Sequence, residues 1–178
     1  MQSHRAASRY AKSIIELAKE QNVIDELQND MLLFIAVVEQ NRNFAVMLKN
    51  PIINHDKKSN VLHALFEKRM NKLTLLAFDL ISKKNRENIL AEIAGEYLVQ
   101  YNTLKGLQVA DVATTIALDA DLRKKFNDLV EEISGKKAKL IEKVDASIIG
   151  GFILNVGDNR LDQSIRTQLN NIKRELTN

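Results

Sequence analysis

The chain has 178 residues, of which 45% are hydrophobic and 28% charged, with six glycines and one proline; this is the composition of a globular protein, not of a long linker. Cysteine is absent, which excludes disulfides, thiolate metal sites and a cysteine nucleophile. The net charge is +3, but the 26 basic residues are interleaved with 23 acidic ones, which argues against the continuous basic stripe of a nucleic-acid binder.

Helix formers dominate the first hundred residues. Ser8–Asn22 places Tyr10, Ile14, Leu17 and Ala18 on one face, and Ala7, Ala11 and Ala18 form a small-residue stripe that lets another helix approach closely. A second helix is expected over Val23–Glu39, with Leu27, Met31, Phe34, Ile35 and Val38 at helical spacing. A short third runs over Arg42–Leu48 and stops ahead of Pro51, because the residue before proline disfavours helix. A fourth covers Asp56–Lys68, with Asp56 as N-cap and Val61 and Leu65, joined by Leu62 and Phe66, turned inward. The fifth, Lys72–Lys83, carries Leu73, Leu76, Phe78 and Leu80. The sixth, Glu87–Leu104, carries Ile89, Leu90, Ile93, Tyr97, Leu98 and Tyr101. Short connections between such helices imply an antiparallel bundle.

After Gly106 the character changes. Leu107–Leu118 is rich in β-branched residues and reads as a strand. A helix follows, capped by Asp119 and stopped by Gly135, with Leu122, Phe126, Leu129, Val130 and Ile133 on its inner face. Ala138–Asp145 and Gly151–Gly157 read as two more strands. Asp158-Asn159 has turn chemistry, and Asp162 caps a last helix with Ile165, Leu169, Ile172 and Leu176 on one side. The expected fold is therefore mostly α: a six-helix bundle over residues 1–105, then a small α/β unit over 106–178 in the order strand-helix-strand-strand-helix.

The stretch Val144–Leu169 contains Gly150-Gly151, an apolar run and Gly157-Asp158, which raises the question of a phosphate loop. Neither a G-x-x-x-x-G-K-[ST] nor a G-x-G-x-x-G spacing is present, and Asp158 stands where a phosphate-binding lysine would be. Gly150 and Gly151 are instead expected to serve close backbone approach at a strand end, and Gly157 a turn. His4, His55 and His63 do not form a helical ligand pair, and Glu131-Glu132 reads as a solvated helix face. No acid/base pair stands in an apolar setting. The reading is a non-enzymatic protein with no catalytic residue, no cofactor and no metal. The longest apolar run, Met31–Val38, is too short to cross a bilayer, and the first residues lack the apolar core of a signal peptide. Membrane association is expected to pass through a partner, and the absence of a transit-like leader favours a bacterial protein.

The same stretch resembles the C-terminal signature of the delta subunit of F-type ATP synthases, the bacterial counterpart of the mitochondrial oligomycin-sensitivity-conferring protein. The resemblance lies in Val144-Asp145, Ile149 before Gly150-Gly151, the strand Phe152–Val156, Gly157-Asp158, Leu161-Asp162, Ser164, Ile165 and Arg166. Gln163 departs from it, where glycine is common. Arg9-Tyr10-Ala11 resembles the core of the family's first helix, and Asn50-Pro51 and Asn85-Arg86 fall at similar punctuation. The resemblance implies a non-catalytic stator subunit that links the catalytic head to the peripheral stalk and resists rotor torque. It implies a helical part that clasps the N-terminal helix of an alpha subunit and a C-terminal part that grips the ends of the b subunits. The location it implies is peripheral, at the cytoplasmic face of a bacterial inner membrane.

The apolar stripe of the first helix is wider than one core face needs, and a groove between amphipathic helices is a common way to hold a partner helix. Tyr10, Ala11, Ile14 and Ile15 on the first helix, with Leu76, Asp79, Leu80 and Lys83 on the fifth, are the candidate contacts for the alpha-subunit helix. Arg160, Arg166, Leu169 and Lys173 are candidates for the stalk; Gly150, Gly151, Gly157, Asp158 and Asp162 form the structural signature. The alternative is a basic helical domain that binds RNA or serves as an adaptor elsewhere, and it predicts steeply salt-dependent RNA binding.

Overall fold

The computed structural model describes residues 2–177, except the side chains of 2, 3, 171, 172 and 175–177. The chain divides into two compact units, Met1–Tyr101 and Asn102–Asn178. Each has its own apolar core.

The first unit is helical: α1 (Gln2–Glu20), α2 (Ile24–Gln40), α3 (Arg42–Lys49), α4 (His55–Phe66), α5 (Lys72–Lys83) and α6 (Leu90–Leu104), the last entered through a 3₁₀ turn at Glu87–Ile89. α1 and α5 stop in the same way. Asn22 (φ 58°) and Asn85 (φ 54°) adopt the left-handed conformation two residues past the end of each helix. Val23 N–H then reaches Ala18 O at 2.9 Å, and Arg86 N–H reaches Ile81 O at 3.2 Å, which satisfies the last carbonyls. Asparagine tolerates this conformation better than other non-glycine residues, so Asn85-Arg86 is a helix stop written into the sequence.

Two details of the helices differ from expectation. Asn54, not Asp56, caps α4, its side chain accepting from the Asp56 N–H at 3.4 Å. Val61 and Leu65 face outward on α4, 37% and 44% exposed, while Leu62 and Phe66 are buried with Lys58. Either pair satisfies the helical period; the pair that turns inward sets Phe66 against the Phe34 and Phe44 rings and carries Lys58 inside, whose ammonium donates to Leu48 O at 3.1 Å and faces the buried Glu87 carboxylate at 3.7 Å. A buried lysine needs such partners. The core is built on Leu27, Met31 and Phe34 of α2, Phe66, Phe78 and Tyr97, with Phe34 at 4.9 Å from the Phe78 ring and 5.6 Å from Phe66. Buried Asp30 accepts from Thr74 Oγ1 at 2.5 Å and from the Asn71 N–H at 2.9 Å, tying α2 to the start of α5.

The second unit is a four-stranded sheet, ordered β2-β1-β3-β4, with β1 at Leu107–Thr114, β2 at Lys137–Val144, β3 at Phe152–Val156 and β4 at Asn159–Asp162. β1 and β2 are parallel, with α7 (Ala120–Ser134) as the crossover. β3 runs antiparallel to β1, and β4 pairs back on β3. Asp119 caps α7, and Gly135 (φ 66°) ends it, as the sequence indicates. Phe126 and Val130 of α7 pack on Ala110, Val112, Leu154 and Val156. Ile133, expected inside, is 40% exposed. Arg123 of α7 makes two hydrogen bonds to Glu142 of β2, at 2.6 and 3.0 Å.

β4 was not expected. Asn159-Arg160-Leu161-Asp162 has no β-branched residue and becomes a strand only by pairing with β3, where Leu161 stands opposite Leu154. The turn is accordingly Gly157-Asp158, with Gly157 at φ 58° in the first position of a two-residue hairpin connection. The last helix is α8, Ile165–Thr177. Its start is held by Ser164, whose hydroxyl accepts from the Thr167 N–H at 3.3 Å; Asp162 braces that cap from the end of β4. The expected inward positions Ile172 and Leu176 lie outside the described side chains.

Candidate functional site

Within the first unit, α1 and α5 leave a groove between them. Its walls are Tyr10, Ser13, Ile14 and Leu17 from α1 and Leu73, Leu76, Ala77, Leu80 and Ile81 from α5. Leu76 and Leu80 are 65% and 56% exposed. Exposed leucines at four-residue spacing, over a floor of Ile14 and Ile81, form a continuous apolar strip rather than scattered surface residues. The Ser13 hydroxyl is already bonded to the Arg9 carbonyl at 3.2 Å. At Tyr10, Arg86 lies 5.8 Å from the ring centre, with Nη1 3.5 Å from the tyrosine oxygen. A groove of this kind suits the apolar face of another helix and has little to offer a polar small molecule.

Of the groove candidates read from the sequence, the structure brings Tyr10, Ile14, Leu76 and Leu80 together. It does not bring Ala11 or Ile15 there: they are 0% and 5% exposed, in the core of the bundle. α1 therefore has two apolar faces, and Ala11 and Ile15 belong to the inner one. Asp79 is turned toward α4, where it accepts from Ser59 Oγ at 2.9 Å and pairs with His63 Nε2 at 2.9 Å. Lys83 is exposed and does not line the groove. Leu17, Leu73, Ala77, Ile81 and Ser13 complete the walls. Leu17, already on the Tyr10–Ile14 face by its spacing, and Leu73, one turn before Leu76, are groove contacts that the candidate set omits.

In the second unit the glycines serve the backbone. Gly151 has φ 78°, and a side chain there would collide with the backbone of Gln163. A Cβ on Gly150 would come within 2.6 Å of Ile165 Cδ1. The two glycines let the junction of β4 and α8 lie directly on the chain before β3, sealed by Ile165 N–H to Gly150 O at 3.0 Å and Gln163 N–H to Phe152 O at 2.9 Å. The space a phosphate would need is filled by protein backbone. Asp162 accepts from Ser164 N–H at 3.0 Å, Ser164 Oγ at 2.7 Å and Thr167 Oγ1 at 3.1 Å. Those hydrogen bonds, first from Ser164, hold its carboxyl below the usual carboxylate range. Asp145 is lowered in the same direction by hydrogen bonds from Ser147, with Lys143 and Arg166 adding attraction. Among the stalk candidates, Leu169 is 55% exposed and Arg166 and Lys173 are exposed on α8, while Arg160 on β4 lies 3.7 Å from Asp162. Asp158 sits exposed in the hairpin turn.

The model of the ATP synthase delta (OSCP) subunit family matches residues 6–176, nearly the whole chain. The chain belongs to this family. It is 41% identical to the ATP synthase subunit delta of Flavobacterium psychrophilum over 178 residues, covering all of both chains. It is 38% identical to that of Cytophaga hutchinsonii over 177 residues, covering 99% of this chain and 97% of the relative. In fold it is similar to a chain of the mitochondrial ATP synthase hexamer of Toxoplasma gondii, with a TM-score of 0.71, 23% identity and 97% of each chain covered.

The delta-type chain is a non-catalytic stator subunit of an F-type ATP synthase, linking the catalytic head to the peripheral stalk, and the RNA-binding alternative finds no support. Among the described residues no single helix is long and apolar enough to cross a membrane. The bent pair α2 and α3 is long and apolar enough only when taken together, and its apolar residues Leu27, Met31, Phe34, Phe44 and Leu48 make the bundle core.

Proposed function

We propose that the groove between α1 and α5 holds the N-terminal helix of an alpha subunit, and that the second unit holds the ends of the b-subunit stalk. The observation that carries the first assignment is the exposed strip of Leu76 and Leu80 above Ile14 and Ile81. A helix laid in this groove with apolar residues at three- and four-residue spacing would cover leucines that α1 and α5 leave in water. Calorimetric titration of the full chain with a synthetic peptide from the N-terminus of its own organism's alpha subunit tests it. One-to-one binding that persists in moderate salt is the expected result, because the contact is apolar. Absence of binding by a folded sample would remove the assignment.

The stalk assignment draws on exposed Leu169 between Arg166 and Lys173 on α8, with Arg160 on the neighbouring strand. Truncation after Lys105 is expected to keep the alpha-subunit contact and lose the stalk. Stalk capture by the truncated chain would refute the division of labour. With both contacts made, the subunit would sit at the cytoplasmic face of a bacterial inner membrane and reach that membrane through its partners alone. The bacterial sources of the relatives support this placement.

A further inference from the structure

Ile149 is a residue whose identity the fold itself does not account for. It has φ 68° and ψ −40°, and the Gly150 N–H closes on the Ile148 carbonyl at 2.8 Å, two residues back. This is a γ-turn of the positive-φ kind, a strained arrangement, with a β-branched residue at its centre. Two glycines follow at once, and Gly151 already takes a positive φ. Asparagine or glycine at 149 would adopt the same backbone with less strain. Nor does burial explain the choice: Ile148 is 4% exposed and anchors the turn, whereas Ile149 is 66% exposed. An isoleucine held in a strained turn with its side chain in water fits a contact made outside the isolated chain.

The surroundings indicate what would make that contact. The next residue, Gly150, lies against Ile165 of α8, which is 42% exposed, and Leu169 stands one turn further along the same helix at 55%. Around this apolar strip stand the basic Lys143, Arg166 and, further along α8, Lys173; of the acidic residues here, Asp162 is engaged in the cap of α8 and Asp145 accepts from the Ser147 N–H. Lys143 and Arg166 both act on Asp145, just ahead of the turn, and the first turn of α8 contains no acidic residue. Arg166 in that first turn opposes the helix dipole, and its charge faces Asp145 instead. We propose that the γ-turn presents Ile149 as an apolar knob that, with Ile165 and Leu169, receives an amphipathic helix whose flanks are acidic. The inference rests on the stalk assignment above, with the end of a b subunit as that helix, and it names the residue on which affinity turns.

The test compares the full-length wild type with Ile149→Gly and Ile149→Leu, titrated with a synthetic peptide from the C-terminal end of its organism's b subunit. Glycine relieves the strain while removing the side chain. Ile149→Gly is expected to melt at or above the wild-type temperature and to bind about tenfold more weakly or worse, as loss of an apolar anchor does. Ile149→Leu is expected to restore most of the affinity. Equal affinity of wild type and Ile149→Gly would overturn the inference and leave the stalk assignment standing. Failure of the wild type itself to bind would overturn both. A cooperative loss of folding in Ile149→Gly would show that the side chain serves the unit's own core, and would overturn the inference as well.

Discussion

Along α1 and α5 the candidate groove is made by side chains that leave regular helices, with left-handed residues only at the helix ends, Asn22 and Asn85. Around β3, β4 and α8 the exposed apolar residues stand on backbone that needs Gly150, Gly151 and a strained Ile149. The first unit rests on a large aromatic and aliphatic core spread over six helices; the second has a much smaller one, centred on Val112, Val130 and Leu154. The difference teaches where each face is vulnerable. The groove can lose a contact without losing its shape, because no backbone conformation depends on Leu76 or Leu80. The second face can lose its shape through one added methyl group.

The largest expected effect separates the two faces of α1 from each other. Ala11→Glu puts a carboxylate into a position with no exposure, so the bundle is expected to lose more than about 4 kcal/mol and to unfold at ordinary temperatures, visible in urea titration. Leu80→Glu, on the groove side, is expected to leave the melting temperature nearly unchanged and to weaken the alpha-subunit peptide by more than about 2 kcal/mol in calorimetry. Similar stability losses in both variants would erase the distinction between core face and groove face. Next comes Gly151→Ala, which combines a strained φ with a collision against Gln163. It is expected to destabilise the second unit by about 3 kcal/mol while leaving groove binding within twofold of wild type. Hydrogen exchange would localise the loss; protection lost equally in α1 and α5 would contradict it.

The smallest effect is the one set by pH. Asp145 and Asp162 titrate below the ordinary aspartate value in the folded chain, so the unfolded chain binds protons first as pH falls. Their contribution to stability is complete above the unfolded value of about 4 and is lost as pH drops through the folded values. Asp162→Asn is therefore expected to lower the melting temperature at pH 7, with the gap to wild type closing in acid. A gap that stays constant from pH 7 to strongly acid solution would show that charge on Asp162 is irrelevant to the cap.

Much of the fold is legible in the residues because helical periodicity and caps are local. Asp119 and Gly135 bracket α7 as their chemistry dictates, and the Leu-rich stripe of α5 marks a helix wherever it is placed. The groove was only half legible. Tyr10, Ile14, Leu76 and Leu80 were recognisable as apolar surface, but Ala11 and Ile15 share the same stripe by period and differ only in what faces them. Asp79 sits between groove leucines in sequence, yet His63 and Ser59 draw it to α4.

The sequence by itself determined the helices of the first unit, the α/β character of the second, the need for glycine at 151 and 157, and membership of the delta-subunit family, because each is a matter of local conformation or of spacing along the chain. Tertiary structure alone decided which face of α4 turns inward, that Asn159–Asp162 forms a fourth strand, and that the strain falls on Ile149. The physical reason is common to all three. Val61 and Leu62 are equally apolar, residues 159–162 have no intrinsic preference for a strand, and isoleucine does not by itself choose positive φ. Each outcome is fixed by a partner distant in sequence: Phe34 for Phe66, β3 for β4, and the junction at Gln163–Ile165 for the chain around Gly150.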